Sequence, residues 1–446
     1  MTSSSSGRRP ARRALLAILT VAATSTVSLA PASAAQQHPD EYLLAGDPAA
    51  ESVFVYRTSD LKRTGTLREV GLSSHAGTLQ LPDGRLIMID DKNATVDAVR
   101  ITSKGKPEIV QQAKIPGAAW EGATWAAADA GLRYLAFSGE GSGDRTPVTV
   151  VDLRTFAVSQ VQVTTEADSS GAVAETQVYL AGRPLQLVVT TGGQFRAAPL
   201  DKVLADKVFT PTSTAPVGAG THGPVVSRRG DAVFSTTADG FDGASIAGDR
   251  LGSPRRVAYS SSRDVVQNYR PRLAADGRTV FGAAAEDTGL SAERWADTRN
   301  NVNVIDTSTF TSSLVRLPDG QASRLALSKK YAAVATTSPD GDLLTLVDSK
   351  RSSSTYRRIV GSVALPAATG GPVAGQPAAG TQGHFVTLNA SGTRAFVSNG
   401  GDGRIVVVDT SSRRIVRTLK TPTTLSGGGY LTTVKKGTPV TDLVAR

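Results

Sequence analysis

Short apolar runs alternate with clusters of small polar residues through most of the chain. In residues 383–416, the apolar runs VTL, AFVSN and RIVVVD are separated by NASGT and NGGDG. Clusters of Asn, Gly, Asp and Ser favour tight turns, and apolar runs of this length favour strands. A fourth run, RRIVRTL, follows the turn DTSS. This phrase predicts an antiparallel meander of four strands in about 40 residues.

The same phrase recurs along the chain. Its third strand ends in an apolar pair followed by an aspartate, which suits an Asx-type turn into the fourth strand. These aspartates are Asp152, Asp306, Asp348 and Asp409. The spacing of about 40 to 60 residues is the period of propeller blades. The pattern predicts an all-β protein: a single β-propeller of eight four-stranded blades, with seven as the alternative because the fifth unit is poorly patterned. The C-terminal strand near Tyr430 is expected to complete the blade that begins at the N-terminus.

The N-terminal segment has the features of an export signal. Four arginines precede an apolar run, and APASAA then offers a cleavage site (Arg8, Arg9, Arg12 and Arg13). Residues 1–34 are therefore predicted to be a secretory signal peptide. Residues 35–446 are predicted to form the propeller domain, with an insertion at about 283–301 and a Pro/Gly-rich loop at 366–383. We expect a secreted, extracellular protein without a membrane anchor.

Composition narrows the functional classes. The 446 residues include 49 Lys and Arg against 39 Asp and Glu, which gives a formal net charge of +10. The cations are scattered and form no basic stripe, so nucleic-acid binding is not predicted. The chain has no cysteine, which excludes disulfides, thiolate metal sites and a cysteine nucleophile. It also lacks the G-x-S-x-G and H-E-x-x-H motifs. A non-enzymatic protein is expected, with a lactonase-like or lyase-like enzyme as the third hypothesis.

The best-formed repeat carries a family resemblance. Residues 383–418, beginning GHFVTLNASGTRAFVSNGGDGRIVVVD, resemble the blade repeat of secreted bacterial YVTN-type propellers. That group is similar in fold to quinoprotein amine-dehydrogenase subunits. The resemblance implies a propeller and leaves the function open, because propellers serve as enzymes, chaperones and scaffolds alike.

Three of the four histidines precede predicted first strands. These are His75, His222 and His384, and Glu121 has a similar position in another repeat. Because first strands line the central channel of a propeller, these side chains are expected near its mouth. Three imidazoles and a carboxylate suit Zn²⁺, and the motifs SSHAG and GTHGP resemble those of extracytoplasmic zinc metallochaperones. The alternative is that each ring bonds to the backbone of a neighbouring blade.

Two other features predict contacts with proteins. In the insertion, Trp295 lies beside Glu293 and Arg294 and is a candidate exposed anchor, although it could instead fold back onto the propeller. Glutamines in segments with few large apolar residues are candidates for crosslinking by transglutaminase. These glutamines are Gln36, Gln37, Gln376 and Gln382.

Together with export and the lack of cysteine, these features resemble the dispase autolysis-inducing proteins. Those are non-enzymatic propellers that provoke self-digestion of metalloproteases and are crosslinked by transglutaminase. The resemblance implies a secreted, protein-binding propeller, and a monomer is expected. Its expected partners are an extracellular metalloprotease and a transglutaminase, and no cofactor is expected. The alternative function is zinc binding.

Overall fold

The apolar runs of the sequence form short antiparallel strands. The computed structural model describes residues 41–72, 77–116, 123–139, 144–171, 175–259, 266–286, 290–369, 383–425 and 429–435, with the backbone alone for residues 123, 124, 266–270 and 323. Pro39–Arg446 form one compact unit. In chain order the strands of its first half are β1 (Glu41–Asp47), β2 (Ser52–Arg57), β3 (Arg63–Arg68), β4 (Thr78–Gln80), β5 (Arg85–Asp90), β6 (Thr95–Ile101), β7 (Pro107–Lys114), β8 (Ala123–Ala128), β9 (Tyr134–Gly139), β10 (Arg145–Asp152), β11 (Val158–Thr164), β12 (Val178–Ala181), β13 (Gln186–Thr191), β14 (Gln194–Pro199) and β15 (Ser213–Pro216).

The second half continues in the same way. Two short helical segments interrupt the strands: α1 (Leu200–Asp206) precedes β15, and a 3₁₀ helix spans Ala292–Asp297. The remaining strands are β16 (Pro224–Val226), β17 (Ala232–Thr236), β18 (Gly240–Ala247), β19 (Arg250–Leu251), β20 (Arg255–Ala258), β21 (Val266–Leu273), β22 (Thr279–Glu286), β23 (Arg299–Asp306), β24 (Thr311–Arg316), β25 (Gln321–Leu327), β26 (Tyr331–Thr337), β27 (Leu343–Asp348), β28 (Ile359–Ala364), β29 (Val386–Leu388), β30 (Arg394–Asn399), β31 (Arg404–Asp409), β32 (Arg414–Lys420) and β33 (Tyr430–Lys435).

These strands form eight antiparallel blades in a ring, which confirms the predicted all-β propeller and selects eight blades over seven. Blade 1 has the strand order β33-β1-β2-β3. The C-terminal strand therefore completes the N-terminal blade, as expected. Blades 2 to 8 begin at β4, β8, β12, β16, β21, β25 and β29. First strands of neighbouring blades contact each other and therefore lie innermost. Because the ring closes, each blade packs between two neighbouring blades.

Buried apolar side chains lie between neighbouring blades. One cluster, for example, joins Val406 and Val408 of blade 8 to Leu344 and Leu346 of blade 7. The cluster that closes the ring joins blades 8, 1 and 2 and contains Phe385 and Tyr430. Second strands such as β13 are buried at every position, because both faces of a blade's middle pack against other blades. Fourth strands such as β32 are mostly exposed.

Three details differ from the repeat or refine it. Blade 5, the poorly patterned unit, has a fifth short strand, because both β19 and β20 pair with β18. Helix α1 lies between the third and fourth strands of blade 4 and was not predicted. Between the second and third strands of blade 6 the structure describes a single 3₁₀ segment, whereas residues 283–286 and 299–301 of the predicted insertion belong to β22 and β23 themselves. Within the described residues, no helix is long and apolar enough to cross a membrane.

Candidate functional site

His384 lies immediately before the first strand of blade 8, as predicted, but its side chain is engaged by the fold. The side chain is 1 % exposed. Its Nδ1 lies 2.8 Å from the carbonyl oxygen of Ser398, and its Nε2 lies 2.8 Å from Oδ2 of Asp342. Because a carbonyl oxygen only accepts, Nδ1 is the donor in the first bond. Both ring nitrogens are therefore occupied by protein groups, and this histidine does not fit a zinc ligand.

Asp342 organises the junction around that histidine. It belongs to the hairpin between the second and third strands of blade 7, and its side chain is 2 % exposed. Oδ1 accepts from the backbone N–H of Ser338 at 3.0 Å, and Oδ2 accepts from that of Ala368 at 2.8 Å. The carboxylate thus joins three segments: its own hairpin, residue 368 after β28, and His384 before β29. The ring of His384 therefore bonds to the backbone of its own blade and to a side chain of blade 7, whereas the predicted alternative to zinc was a bond to the backbone of a neighbouring blade.

His222, the corresponding residue of blade 5, has a different environment. Its ring stands edge-on to Trp125 of blade 3, with centroids 4.8 Å apart and planes at 83°. Its backbone N–H donates to the carbonyl oxygen of Thr236 at 2.9 Å, while the Thr236 hydroxyl donates to the carbonyl oxygen of His222. The residue is partly exposed, whereas Trp125 is fully buried. His222 therefore bridges first strands on either side of blade 4.

The predicted zinc set does not fit the part of the chain that the structure describes. His75 and Glu121 lie outside those residues, so nothing tests them. Among the described residues, no group of three or more His, Asp or Glu side chains is arranged to hold a metal ion. Since His384 uses both nitrogens in the fold, the four-ligand set predicted from the sequence loses one member.

The insertion in blade 6 does not present its tryptophan. Trp295 is 2 % exposed, so the expectation of an exposed anchor at this residue is wrong, and the alternative that it folds back is confirmed. A large aromatic ring gains more free energy from burial in the protein than from exposure to water. Glu293 and Arg294 are exposed, and Arg294 pairs with Asp297 at 3.0 Å. All four candidate glutamines lie outside the described residues (Gln36, Gln37, Gln376 and Gln382).

The two faces of the ring differ in charge. First strands all run in one direction, so the hairpins between first and second strands and those between third and fourth strands share one face, here called the turn face. The linkers between blades and the remaining hairpins form the opposite, linker face. In blades 5 to 8 the turn face carries many exposed or partly exposed cations, which outnumber the carboxylates of the same turns. These cations are Arg228, Arg229, Arg250, Arg278, Lys329, Lys330, Lys350, Arg351, Arg357, Arg358 and Arg413.

Carboxylates on the turn face are largely engaged in their own turns. Asp306 accepts from Arg278 Nε at 2.7 Å, from Arg351 Nη1 at 3.1 Å and from the backbone of Ser308 and Thr309. Burial opposes ionisation of Asp306, but these bonds outweigh it and hold its pKa far below the ordinary value. Cations on the linker face of the same blades also pair with carboxylates. The pairs are Arg256–Asp239, Arg294–Asp297, Arg316–Asp319 and Arg404–Asp402.

A cavity of about 590 Å³ opens on the turn face. The first hairpins of blades 3, 4 and 5 surround it, together with Ile246 at the end of the third strand of blade 5. Its lining residues are Ala130, Gly131, Gly182, Arg183, Arg228, Arg229, Gly230, Asp231 and Ile246. Three arginines and one aspartate give this cavity a net positive charge. Its shape and charge can hold an anionic group.

Backbone contacts between small residues build the cavity. The N–H of Gly182 donates to the carbonyl oxygen of Gly230 at 2.6 Å, which joins the hairpins of blades 4 and 5. Gly182 has a φ of +96°, and a Cβ there would lie 2.9 Å from Cγ2 of Ile246. Gly230 has a φ of +70°, and its Cβ would lie 3.3 Å from that of Ala130 in blade 3. Glycine permits both the positive φ and the close approach.

Comparisons with known proteins support the fold. The structure resembles AztD from Citrobacter koseri, with a TM-score of 0.61, 14 % identity, and coverage of 89 % of this chain and 98 % of that one. It also resembles the dihydro-heme d1 dehydrogenase NirN, with a TM-score of 0.56, 16 % identity, and coverage of 90 % and 76 %. A third similar structure is a protein of unknown function from Desulfotomaculum acetoxidans, with a TM-score of 0.51, 11 % identity, and coverage of 87 % and 98 %.

At such low sequence identities, the structural similarity supports the fold alone. The named neighbours include an enzyme, so an eight-bladed ring of this kind does not decide between catalysis and binding. No protein-family model matches the chain. No curated protein matches it either. The function must therefore be argued from the surface of this chain.

Sequence reasoning missed the arginine-lined cavity. Its signal was present in the hairpin motif SRRGD, which replaces the NASGT of blade 8 with two adjacent arginines, Arg228 and Arg229. The third arginine, Arg183, comes from the motif AGRPL of the preceding blade. Only the ring geometry brings these two motifs, some 45 residues apart as expected for one blade period, to one place.

Proposed function

We propose that the protein is a secreted, non-catalytic propeller that binds an extracellular protein through the turn face of blades 5 to 8. The observation that carries this proposal is the excess of exposed arginine and lysine on that face. A surface of one charge sign accelerates association with a partner of the opposite sign and selects against partners of the same sign. The partner is therefore expected to present an acidic surface.

The partner class follows from the resemblance to dispase autolysis-inducing proteins. We propose an extracellular metalloprotease, whose self-digestion the bound propeller would promote. In this proposal the propeller holds the protease and supplies no reacting group. A rigid ring suits this role, because a preformed surface loses little conformational entropy on binding. Crosslinking by transglutaminase at Gln36, Gln37, Gln376 or Gln382 is a second part of the same proposal.

Binding through the turn face is tested by reversing charge in blade 7. The double variant Arg357→Glu/Arg358→Glu changes two exposed side chains. The matched control is Arg299→Glu, an exposed arginine at the start of β23 on the linker face. Association with a purified thermolysin-like metalloprotease is measured by surface plasmon resonance at 20 and 300 mM salt, and protease self-digestion is followed in parallel.

At low salt we expect the double variant to associate about tenfold more slowly and the control to behave like the wild type. The difference should shrink at high salt, because screening weakens exposed charges. An equal loss in both variants, or no loss in either, would overturn the turn face as the contact surface. Binding without any change in self-digestion would retain the surface and reject the metalloprotease role.

The crosslinking part has its own test. A fluorescent amine is incorporated by transglutaminase, and the labelled peptides are identified by mass spectrometry. Labelling is expected at one or more of the four glutamines, and Gln→Asn substitution at the labelled residue should remove it. Gln160, on the fourth strand of blade 3, provides an internal control within the propeller. Labelling confined to glutamines of the blades would reject this part of the proposal.

A further inference from the structure

We propose that the cavity between the first hairpins of blades 3, 4 and 5 binds a pair of carboxylates carried by an acidic peptide segment of the partner protein. This inference rests on the proposed function and extends the contact surface from the turn face of blade 5 to the adjoining hairpins of blades 3 and 4. It is carried by three arginines around a cavity of about 590 Å³ with only one aspartate among the lining residues.

Arg228 lines the cavity, and its side chain is fixed by contacts with blade 6. Its side chain runs across Gly277 of blade 6, where a Cβ would come within 2.8 Å of the Arg228 Cδ. Its Nη1 donates to the carbonyl oxygen of Ala275 at 3.0 Å. A guanidinium has five N–H donors, so this bond orients the group and leaves donors for a ligand. A carbonyl partner also leaves the positive charge uncompensated.

Arg229 and Arg183 complete the set. Arg229 Nε lies 3.1 Å from Oδ2 of Asp231, whose Oδ1 accepts from the hydroxyl of Ser227 at 2.7 Å. This pair is solvent-exposed, with 87 % of the Arg229 side chain accessible, so the arginine can turn towards a ligand at little cost. Arg183 is exposed and forms no ion pair with any residue that the structure describes. Among the described residues, therefore, Arg183 and Arg228 have no carboxylate partner.

The base of the cavity suits the stem of an acidic side chain. Ala130, Gly182, Gly230 and Ile246 add small or apolar surface to the lining. Aspartate and glutamate combine a short aliphatic stem with a carboxylate that arginine binds through two parallel hydrogen bonds. A volume in the range of ligand pockets exceeds the size of one such side chain and accommodates a short segment with two.

A peptide fits these observations better than a free anion. The arginines are exposed, and screening by salt weakens each individual contact between exposed charges. Two carboxylates on one segment bind with a high effective concentration of the second group once the first is bound. A single free carboxylate or phosphate lacks that advantage. The shared chemistry is anion recognition by arginine, and the test below separates the two sources.

The test uses the full mature protein and an acidic hexapeptide with four glutamates. Binding is measured by isothermal titration at 20 mM salt, with the same peptide carrying glutamine in place of glutamate as the sequence control. Succinate and inorganic phosphate are titrated separately. The pocket variant is Arg183→Ala/Arg228→Ala, with Arg183→Ala alone as the milder change. The matched control is Lys114→Ala/Arg299→Ala, which removes two exposed cations from the linker face, at the end of β7 and the start of β23.

We expect the acidic peptide to bind and the glutamine peptide not to bind. Loss of one charge-assisted contact per arginine should weaken the affinity about tenfold in the pocket variant and less in Arg183→Ala, with the control within about twofold. Melting temperatures should agree among all variants, because each replaced side chain is exposed. Equal binding by the pocket variant would overturn the site. Succinate or phosphate binding as tight as that of the peptide would overturn the peptide as its ligand.

The metalloprotease partner separates failure of this inference from failure of the proposed function. If the pocket variant retains partner binding while Arg357→Glu/Arg358→Glu loses it, the cavity is not the recognition site and the turn face still is. If neither variant loses partner binding, both proposals fail. If both lose it and the control does not, both are supported.

Discussion

Blades 5 and 8 begin with similar sequences, but their histidines make different contacts. Each has a histidine beside a glycine just before a first strand of three residues. In blade 8 the ring is buried and bonded at both nitrogens, whereas in blade 5 it is partly exposed and rests edge-on against Trp125. The position in the repeat thus determines where the histidine backbone lies, and residues of other blades determine which contacts its ring makes.

The turns of blades 5 and 8 also differ. The third strand of blade 8 ends in Asp409, which accepts from the backbone N–H groups of Ser411 and Ser412. Blade 5 has no aspartate there, its outer part is divided between β19 and β20, and its first hairpin carries Arg228 and Arg229. A blade whose sequence follows the repeat has turn residues suited to its fold, and departures from the repeat are expected at functional surfaces. The irregular blade contributes most of the cavity.

The largest effect is expected from removing the buried ring of blade 8. His384→Ala empties the space of a buried ring and removes one of the three hydrogen-bond partners of Asp342, which together typically cost about 3–5 kcal/mol of unfolding free energy. Urea denaturation at pH 7 measures this, with His222→Ala as the matched control in blade 5. If His384→Ala stayed within about 1 kcal/mol of the wild type, the contrast between the two histidines would be lost.

A smaller loss is expected from Asp342→Asn, which keeps the shape of the side chain. One oxygen can still accept from Ala368 and His384, while the amide nitrogen then faces the N–H of Ser338. Two buried N–H donors would then face each other without an acceptor, which costs about 1–3 kcal/mol of unfolding free energy. A double-mutant cycle with His384→Ala measures the coupling between the two residues. A coupling near zero would show that the carboxylate acts through its backbone bonds alone.

The sequence predicted the architecture because the repeat encodes it locally. Asp152, Asp306, Asp348 and Asp409 correctly marked the end of a third strand in four blades, and the need to close the ring placed Tyr430 beside the N-terminal blade. Such features depend on turn chemistry and alternating apolar residues, which are visible within about ten residues.

The candidate sites were less predictable, because they depend on contacts between distant segments. The bond between His384 and Asp342 joins residues 42 positions apart, and nothing in QGHF or in SPDGD indicates it. The burial of Trp295 likewise depends on how the insertion packs. The charge of the turn face could have been counted from the hairpins once the strand order was known.

A pH-dependent effect is expected at the turn of blade 8. Hydrogen bonds from the backbone N–H of Ser412 lower the pKa of Asp409, against the opposing effect of burial. A carboxyl group whose pKa is lower in the folded state stabilises the fold above its unfolded pKa of about 3.9, and this contribution is lost as the pH falls through the folded pKa. Asp409→Asn should therefore cost about 1 kcal/mol between pH 5 and 7 and less below pH 4.

The matched control for that turn is Asp249→Asn, in the corresponding hairpin of blade 5. Asp249 lies between β18 and β19 and makes no ion pair or hydrogen bond to the described residues. Its substitution should leave the unfolding free energy unchanged across the same pH range. A pH-independent cost at Asp409 would show that the turn is stabilised by the shape of the side chain rather than by its charge.

The smallest effect is expected at His222. An edge-on aromatic contact contributes about 0.5–1.5 kcal/mol, and because the His222 ring is partly exposed, His222→Ala should cost an amount in the lower half of that range and His222→Phe still less. Urea denaturation of both variants measures the difference, which isolates the contact with Trp125 from any role of the ring nitrogens. A cost for His222→Phe that equals that of His384→Ala would mean that the nitrogens of His222 also stabilise the ring, and blades 5 and 8 would then use their histidines in the same way.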